Sequence, residues 1–185
     1  MGDPLGAALR ITLSRWQQSG GVVPVTISNV GPYLLQREQW ISRPIEDVFA
    51  FFSDAGNLEA ITPNWLGFQI LTPRPIVMRP GTLIAYRLRW HGLALRWLTE
   101  IQRWNPPTEF VDVQVHGPYR LWHHTHSFEP RDGRTLMRDV VRYELPFGLL
   151  GRLVHAWVVK SNLEAIFTYR ARRVTEILGS CCAHE

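Results

Sequence analysis

From position 67 to position 144 the apolar residues of this chain recur with a period near two, and after Gly151 the period becomes helical. In 82–91, Ile84, Tyr86, Leu88 and Trp90 alternate with Ala85, Arg87, Arg89 and His91, the signature of a strand with one wet face. Gly92 turns that strand into 93–104, where Leu93, Leu95, Trp97, Thr99 and Ile101 share a side until Asn105-Pro106-Pro107 stops it. Further strands are predicted at 67–72, 109–116, 119–129 and 135–144. The last element is a single amphipathic helix over 149–178, its stripe formed by Leu149, Leu153, Trp157, Leu163, Phe167, Val174 and Leu178. A run of antiparallel strands needs one face covered, and this helix offers a stripe of matching length.

Ahead of these strands, 33–42 reads as a strand and 44–53 as a helix. Pro44 falls in its first turn, Ser42 is its cap, and Val48, Phe49, Phe51 and Phe52 form its apolar face. A second short helix is predicted at 55–61, ending at Pro63. The order is therefore β-α-α-β6-α: an α+β domain, a curved antiparallel sheet wrapped around a long C-terminal helix. The domain is expected to span 33–179. Residues 1–32 read as a flexible or loosely docked extension, with a weak strand at 22–27 broken by Pro24, and 180–185 as a tail.

With 45% hydrophobic and 19% charged residues, the 185-residue chain can bury a core and is not expected to be disordered. Its net charge of +4 is spread along the chain, without the basic stripe of a nucleic-acid binder. Arg170, Arg172 and Arg173 read as a solvated helix end. The only cysteines, Cys181 and Cys182, are adjacent and offer no disulfide framework, which points to a cytoplasmic location. No apolar run reaches the ~20 residues that span a bilayer.

Eight tryptophans and seven histidines are the unusual counts, and three of the histidines lie at His123, His124 and His126. In strand 119–129, Trp122, His124, His126 and Phe128 point one way. Asp139 and Tyr143 share a face of 135–144 with Met137 and Val141; Asp112 and Gln114 share a face of 109–116 with Phe110. Two registers across Gly117-Pro118 compete. The favoured one pairs Asp112 with His124 and Gln114 with Trp122; the other, supported by Val111, Val113 and Val115, turns Asp112 and Gln114 outward. Trp122 alone of the tryptophans is expected on a cavity wall, with Trp97, Trp104 and Trp157 as packing and no role for His91, His155 or His184.

Three readings of the histidines stay open: a buried hydrogen-bonded network with Asp112, Asp139 and Tyr143; polar anchors for the head of an apolar ligand; and a metal site completed by Asp112 or Asp139. His-x-His spacing is common and no second ligand motif accompanies it, so neither metal nor cofactor is expected. No nucleophile elbow, phosphate loop or dinucleotide glycine pattern is present. The chemistry left for an enzyme is acid–base, with His124, Asp112 and Tyr143 as catalytic candidates and Arg96 or Tyr143 polarising a substrate oxygen.

The stretches RPIEDVFAFFSDAGNLEAITPNWLGFQIL (43–71), RWLTEIQRWNPPTEFVDVQVHGPYRLWHHTHSFE (96–129), TLMRDVVRYELPFG (135–148) and IFTYR (166–170) resemble the helix-grip proteins of the START-related, or SRPBCC, superfamily. The subgroup they are most similar to is a bacterial ligand-binding, cyclase/dehydrase-like one of uncertain function. The chain departs from its pattern at Leu93-Ala94-Leu95, where the subgroup usually has a proline before the Arg-Trp pair. The resemblance covers about 33–178 and implies the helix-grip fold; it implies function less, since this superfold hosts carriers, receptors and enzymes alike. The expected function is binding, as carrier or sensor, of a small to medium hydrophobic ligand between sheet and helix, by Arg96, Asp112, Gln114, Trp122, His124, His126, Asp139 and Tyr143. The alternatives are a cyclase- or isomerase-type enzyme in the same cavity and a partner-binding scaffold with a filled core. Expected partners are the ligand and, at most, a second copy in a homodimer; nucleic acid and integral membrane association are not expected.

Overall fold

The computed structural model describes residues 26–27, 32–146, 148, 151 and 155–179. Eight antiparallel strands form one sheet in the order β1-β2-β8-β7-β6-β5-β4-β3: β1 (Thr26–Ile27), β2 (Tyr33–Ile41), β3 (Gln69–Ile70), β4 (Leu83–Trp90), β5 (Leu93–Asn105), β6 (Glu109–His116), β7 (Leu121–Arg131) and β8 (Arg134–Glu144). Helix α1 (Ile45–Ser53) follows β2, and α2 (Lys160–Leu178) closes the described chain. This is the curved α+β helix-grip arrangement that the alternation and the terminal helical stripe predict.

Local chemistry fixes the hairpins. His91-Gly92 and Asp132-Gly133 both hold positive φ, 47° and 84° in the first pair and 50° and 74° in the second. Left-handed backbone at both central residues gives the turn whose twist matches that of the flanking strands. Strand β5 is bulged between Leu98 and Thr99 and between Ile101 and Arg103, and each bulge bends it, curling the sheet toward the helix.

Helix α1 buries Ile45, Val48 and Phe49. Ser42 does not cap it: Pro44 takes the capping position with φ −56° and ψ 152°, no side chain caps the helix, and Glu46 and Asp47 complement its positive end. The helix predicted at 55–61 is instead a short 3₁₀ turn, Ala55–Leu58, followed by a second at Asn64–Leu66. Local side-chain bonds win there: Asp54 Oδ1 accepts from the Gly56 amide at 2.7 Å, and Asn57 donates to the Phe51 carbonyl at 2.9 Å. The strand predicted over 67–72 shrinks to Gln69–Ile70, and β7 starts at Leu121 rather than 119.

The terminal helix also differs from its predicted stripe. A π-helical turn, His155–Val159, leads into α2, whose inward residues are Leu163, Phe167, Ala171 and Val174. Trp157 is 83% exposed. The six-residue step from Trp157 to Leu163 matches neither one helical turn nor two, so Val159 and His155 take the inward positions. Leu149 and Leu153 lie outside the described residues, as does most of the expected 1–32 extension; from it, Thr26 and Ile27 pair with Gln36 and Leu35 at the sheet edge.

Helix α2 is tied to the sheet by polar bonds as well as packing. Gln39 Nε2 donates to the Ala171 carbonyl at 2.9 Å and to Thr175 Oγ1 at 3.0 Å, and Arg43 Nε donates to the Leu178 carbonyl at 3.0 Å. At that end Ile41, Val48, Phe49, Phe110, Phe128, Met137 and Val174 form a filled core. At the other end, Tyr33, Leu35, Val141, Tyr143, Val159, Leu163 and Phe167 pack β2 and β8 on the helix.

Candidate functional site: a cavity with a histidine–aspartate ring

Between these packed regions the curved strands β4 to β7 stand away from α2 and leave a cavity of about 470 Å³. Alternation delivers its wall. Tyr86, Leu88 and Trp90 of β4, Leu95, Trp97, Thr99 and Ile101 of β5, and Trp122 of β7 face it, with Leu163, Ile166 and Phe167 of α2 opposite. Trp97 meets Trp122 edge-on with ring centres 5.2 Å apart, and its Nε1 donates to Thr99 Oγ1 at 2.9 Å, so the indole buries its one donor satisfied. Three tryptophans therefore line the cavity where the sequence reading expects Trp122 alone. Trp97 sits on the wall rather than in inert packing, because Leu95 to Ile101 present one continuous inner face.

The polar part of this wall is assembled by register. Asp112 lies opposite His124 in the β6–β7 ladder, and His126 lies opposite Asp139 in the β7–β8 ladder. The favoured register is thus the observed one as far as Val113–His123, where the ladder ends. Gln114 does not pair with Trp122. Its amide folds back on the turn, donating to the Tyr119 carbonyl at 2.7 Å and accepting from the Tyr119 amide at 3.2 Å. A side chain on Gly117 would collide with that amide, which is why a glycine opens this turn.

Four side chains close a ring. His124 Nε2 and His126 Nδ1 lie 3.0 Å and 2.9 Å from the same atom, Asp139 Oδ1. On the other side, His126 Nε2 and His124 Nδ1 lie 3.1 Å and 3.5 Å from Asp112 Oδ2. His124, His126 and Asp139 are buried, and Asp112 is nearly so. Burial by itself would raise both carboxyls. At Asp139, the hydrogen bond from His124 and the nearby His126 outweigh it and hold the group far below the ordinary carboxylate range. At Asp112, the charge of His124 and the hydrogen bond from His126 do the same. The histidines split: burial and the neighbouring His126 push His124 down, whereas the two neighbouring carboxylates overcome burial and push His126 up. Of the two, His126 is therefore the one that takes up a proton more readily.

Of the other expected site residues, Tyr143 is fully buried behind the wall, its hydroxyl 2.8 Å from His155 Nε2. His155 in turn stacks on Tyr33 at 3.5 Å. The trio His124, Asp112 and Tyr143 is therefore not gathered at one point of the cavity. Arg96 is exposed on the outer face opposite Arg87, and nothing brings it to the cavity. Asp139 lies behind the histidines, off the cavity surface, while Asp112, Trp122, His124 and His126 line it.

Two arginines escape the sequence reading. Arg170, read as part of a solvated helix end, lines the cavity; its guanidinium lies 5.2 Å from the Phe167 ring centre and its Nε is buried without a hydrogen-bond partner. Seven residues after Leu163, it falls two turns along the same helix face, which is the signal that locates it. Arg37 is 6% exposed, with Nε and Nη1 unpartnered. It lies opposite Asp139 in the β2–β8 ladder and shares the alternation of Tyr33, Leu35, Gln39 and Ile41.

With fold and geometry in place, comparison with known proteins fits. Residues 41–167 match the family described as polyketide cyclase / dehydrase and lipid transport. The chain belongs to this family. Its structure is similar to protein Ms6760 from Mycobacterium smegmatis (TM-score 0.64, 15% identity, covering 86% of this chain and 99% of that one). A protein from Arthrobacter aurescens is similar at TM-score 0.65 and 18% identity, over 89% of this chain and 99% of that one. Ara h 8.0201 matches at TM-score 0.55 and 17% identity, over 77% and 97%. At these identities the likeness is one of fold. No curated protein matches the chain in sequence. Membership in this polyketide cyclase / dehydrase and lipid transport family supports hydrophobic ligand binding in general terms. Among the described residues no helix is long and apolar enough to cross a membrane.

Proposed function

We propose that the protein binds a small to medium hydrophobic ligand, as a carrier or sensor, in the cavity between β4–β7 and α2. The observation that carries this reading is the wall itself. An apolar surface built from Trp90, Trp97, Trp122 and Phe167 encloses a volume within the range of small-molecule sites, and among its polar groups Asp112, His124 and His126 form one cluster, with Arg170 also on the wall. Burying a ligand of even 150 Å² of apolar area there contributes roughly 4 kcal/mol before association costs. The clustered polar groups orient one end of the ligand, and the aromatic wall holds the rest.

Displacement of the apolar fluorophore anilinonaphthalene sulfonate tests this. The dye is expected to bind with quenching of tryptophan fluorescence, because Trp97 and Trp122 meet on the wall. Substituting Ile166→Trp, a half-buried wall residue on α2, fills the space and is expected to weaken dye binding at least tenfold with the fold retained. Equal dye affinity in the two proteins would place the dye elsewhere and remove the reading.

A further inference from the structure

Asp139 decides the tautomer of His124. Its Oδ1 accepts from His124 Nε2 at 3.0 Å, so with that ring neutral the lone pair sits on His124 Nδ1; His126 Nδ1 lies 2.9 Å from the same oxygen without a hydrogen bond to it, and His126 is bonded through Nε2 to Asp112. His124 Nδ1 and His126 Nε2 converge on Asp112 Oδ2, at 3.5 Å and 3.1 Å. These three atoms all lie within 4.8 Å of one another, and the lone pair of His124 Nδ1 faces a carboxylate oxygen with no hydrogen bond between them, an arrangement that a cation among the three would relieve. Ligands about 2.0–2.1 Å from a tetrahedral metal lie roughly 3.3 Å apart, the spacing found here.

We infer that Asp112, His124 and His126 form a mononuclear site for a divalent transition metal such as Zn²⁺, with Asp139 as the acceptor that fixes the His124 ring. Two imidazoles and one carboxylate on one face leave coordination positions open, a set suited to Zn²⁺, Fe²⁺ or Co²⁺ rather than to Ca²⁺ or Mg²⁺. All three ligands line the cavity, so the open positions face it, whereas Asp139 stands behind. A carboxylate receiving the second ring N–H is the usual support of a metal-bound histidine, and Asp139 gives that support to His124. The spacing of His124 and His126 by itself does not distinguish such a site from a packed network; the lone pair that Asp139 leaves on His124 Nδ1, facing Asp112 Oδ2, does.

Metal binding here is independent of whether an apolar ligand fills the cavity, and the two fail separately. The full chain, stripped with chelator, is titrated with Zn²⁺ by calorimetry and with Co²⁺ by visible absorption. One equivalent is expected to bind, with a Co²⁺ spectrum free of sulfur charge transfer, a readout that needs no variant to fold. Asp139→Asn is expected to weaken binding about 10–100-fold by replacing the carboxylate behind His124 with a neutral amide. Asp112→Asn and His126→Asn are expected to weaken it further. His123→Ala, on the opposite face of β7, and Cys181→Ser with Cys182→Ser leave it unchanged. Absence of uptake at micromolar metal, a thiolate-type Co²⁺ spectrum, or uptake retained in Asp112→Asn would overturn the site while leaving dye binding untouched.

Discussion

The two halves of the space under the sheet are built from the same kinds of residue and differ in whether they are filled. Around α1, Phe49 touches Trp104, Phe110 and Phe128 within 6.2 Å, and Val48 and Met137 close the remaining gaps. Toward the β4–β5 hairpin, Trp90, Trp97 and Trp122 face the first half of α2 across the cavity. The histidine–aspartate ring lies between the halves: His126 stacks on Phe110 of the packed half at 4.2 Å, and His124 meets Phe167 on the open side at 5.8 Å. Aromatic content by itself therefore does not distinguish a core from a binding wall. What distinguishes them is whether an opposing element is close enough to interdigitate. Here α1 fills one half, and the bulges of β5 curl the sheet without filling the other.

Truncation breaks this comparison most strongly at the packed half. Phe49→Ala is expected to cost about 3–5 kcal/mol, read by denaturant unfolding, because the surrounding rings cannot collapse into the void. His126→Leu comes next, at about 3 kcal/mol, since it leaves Asp112 and Asp139 facing each other without the imidazole between them. Trp122→Ala on the open wall is expected to cost less than Phe49→Ala, about 1–2 kcal/mol, because one side of the ring already borders space. The same change should lower dye affinity, which Phe49→Ala should not. Equal stability losses at positions 49 and 122 would show that the two halves are packed alike.

Acidification sharpens the same contrast at the cluster that packs β2 and β8 on the helix, where His155 stacks on Tyr33. Burial, with Lys160 nearby, holds His155 below its ordinary value, so below about pH 6.5 the unfolded chain takes up a proton that the folded chain refuses. Stability attributable to this residue therefore falls as pH drops through that value and keeps falling until the folded form also protonates. His155→Gln is expected to flatten the slope of unfolding free energy against pH between 7 and 5, relative to the unchanged chain, as urea titrations at each pH would record. A steeper slope in the variant would contradict it. The smallest effect belongs to the surface: Trp157→Arg is expected to change stability by less than about 0.5 kcal/mol, since the indole is 83% exposed.

Much of the site is legible in the sequence because strand alternation carries it. His124, His126, Asp112 and Asp139 follow from period two once a register is chosen, and the Asp112–His124 pairing is the favoured one. Gln114 fails because a side-chain amide near a turn can satisfy the backbone locally instead of continuing the ladder. Tyr143 shares the right face but is captured by His155, a contact made across 12 positions that no local pattern reveals. Arg170 and Arg37 are missed for a different reason: charged residues read as solvated, yet each sits at a phase of its helix or strand that points inward. Trp157 shows the converse, an apolar residue out of phase with the stripe it was assigned to.

Native mass spectrometry of the freshly purified chain beside Ile166→Trp tests ligand binding in the open half most directly. The unchanged chain is expected to carry an added mass that organic extraction recovers as an apolar compound, and the filled variant is expected to lose it. Retention of the same compound by both proteins, or its binding only to the variant, would contradict a ligand site between the tryptophan wall and α2.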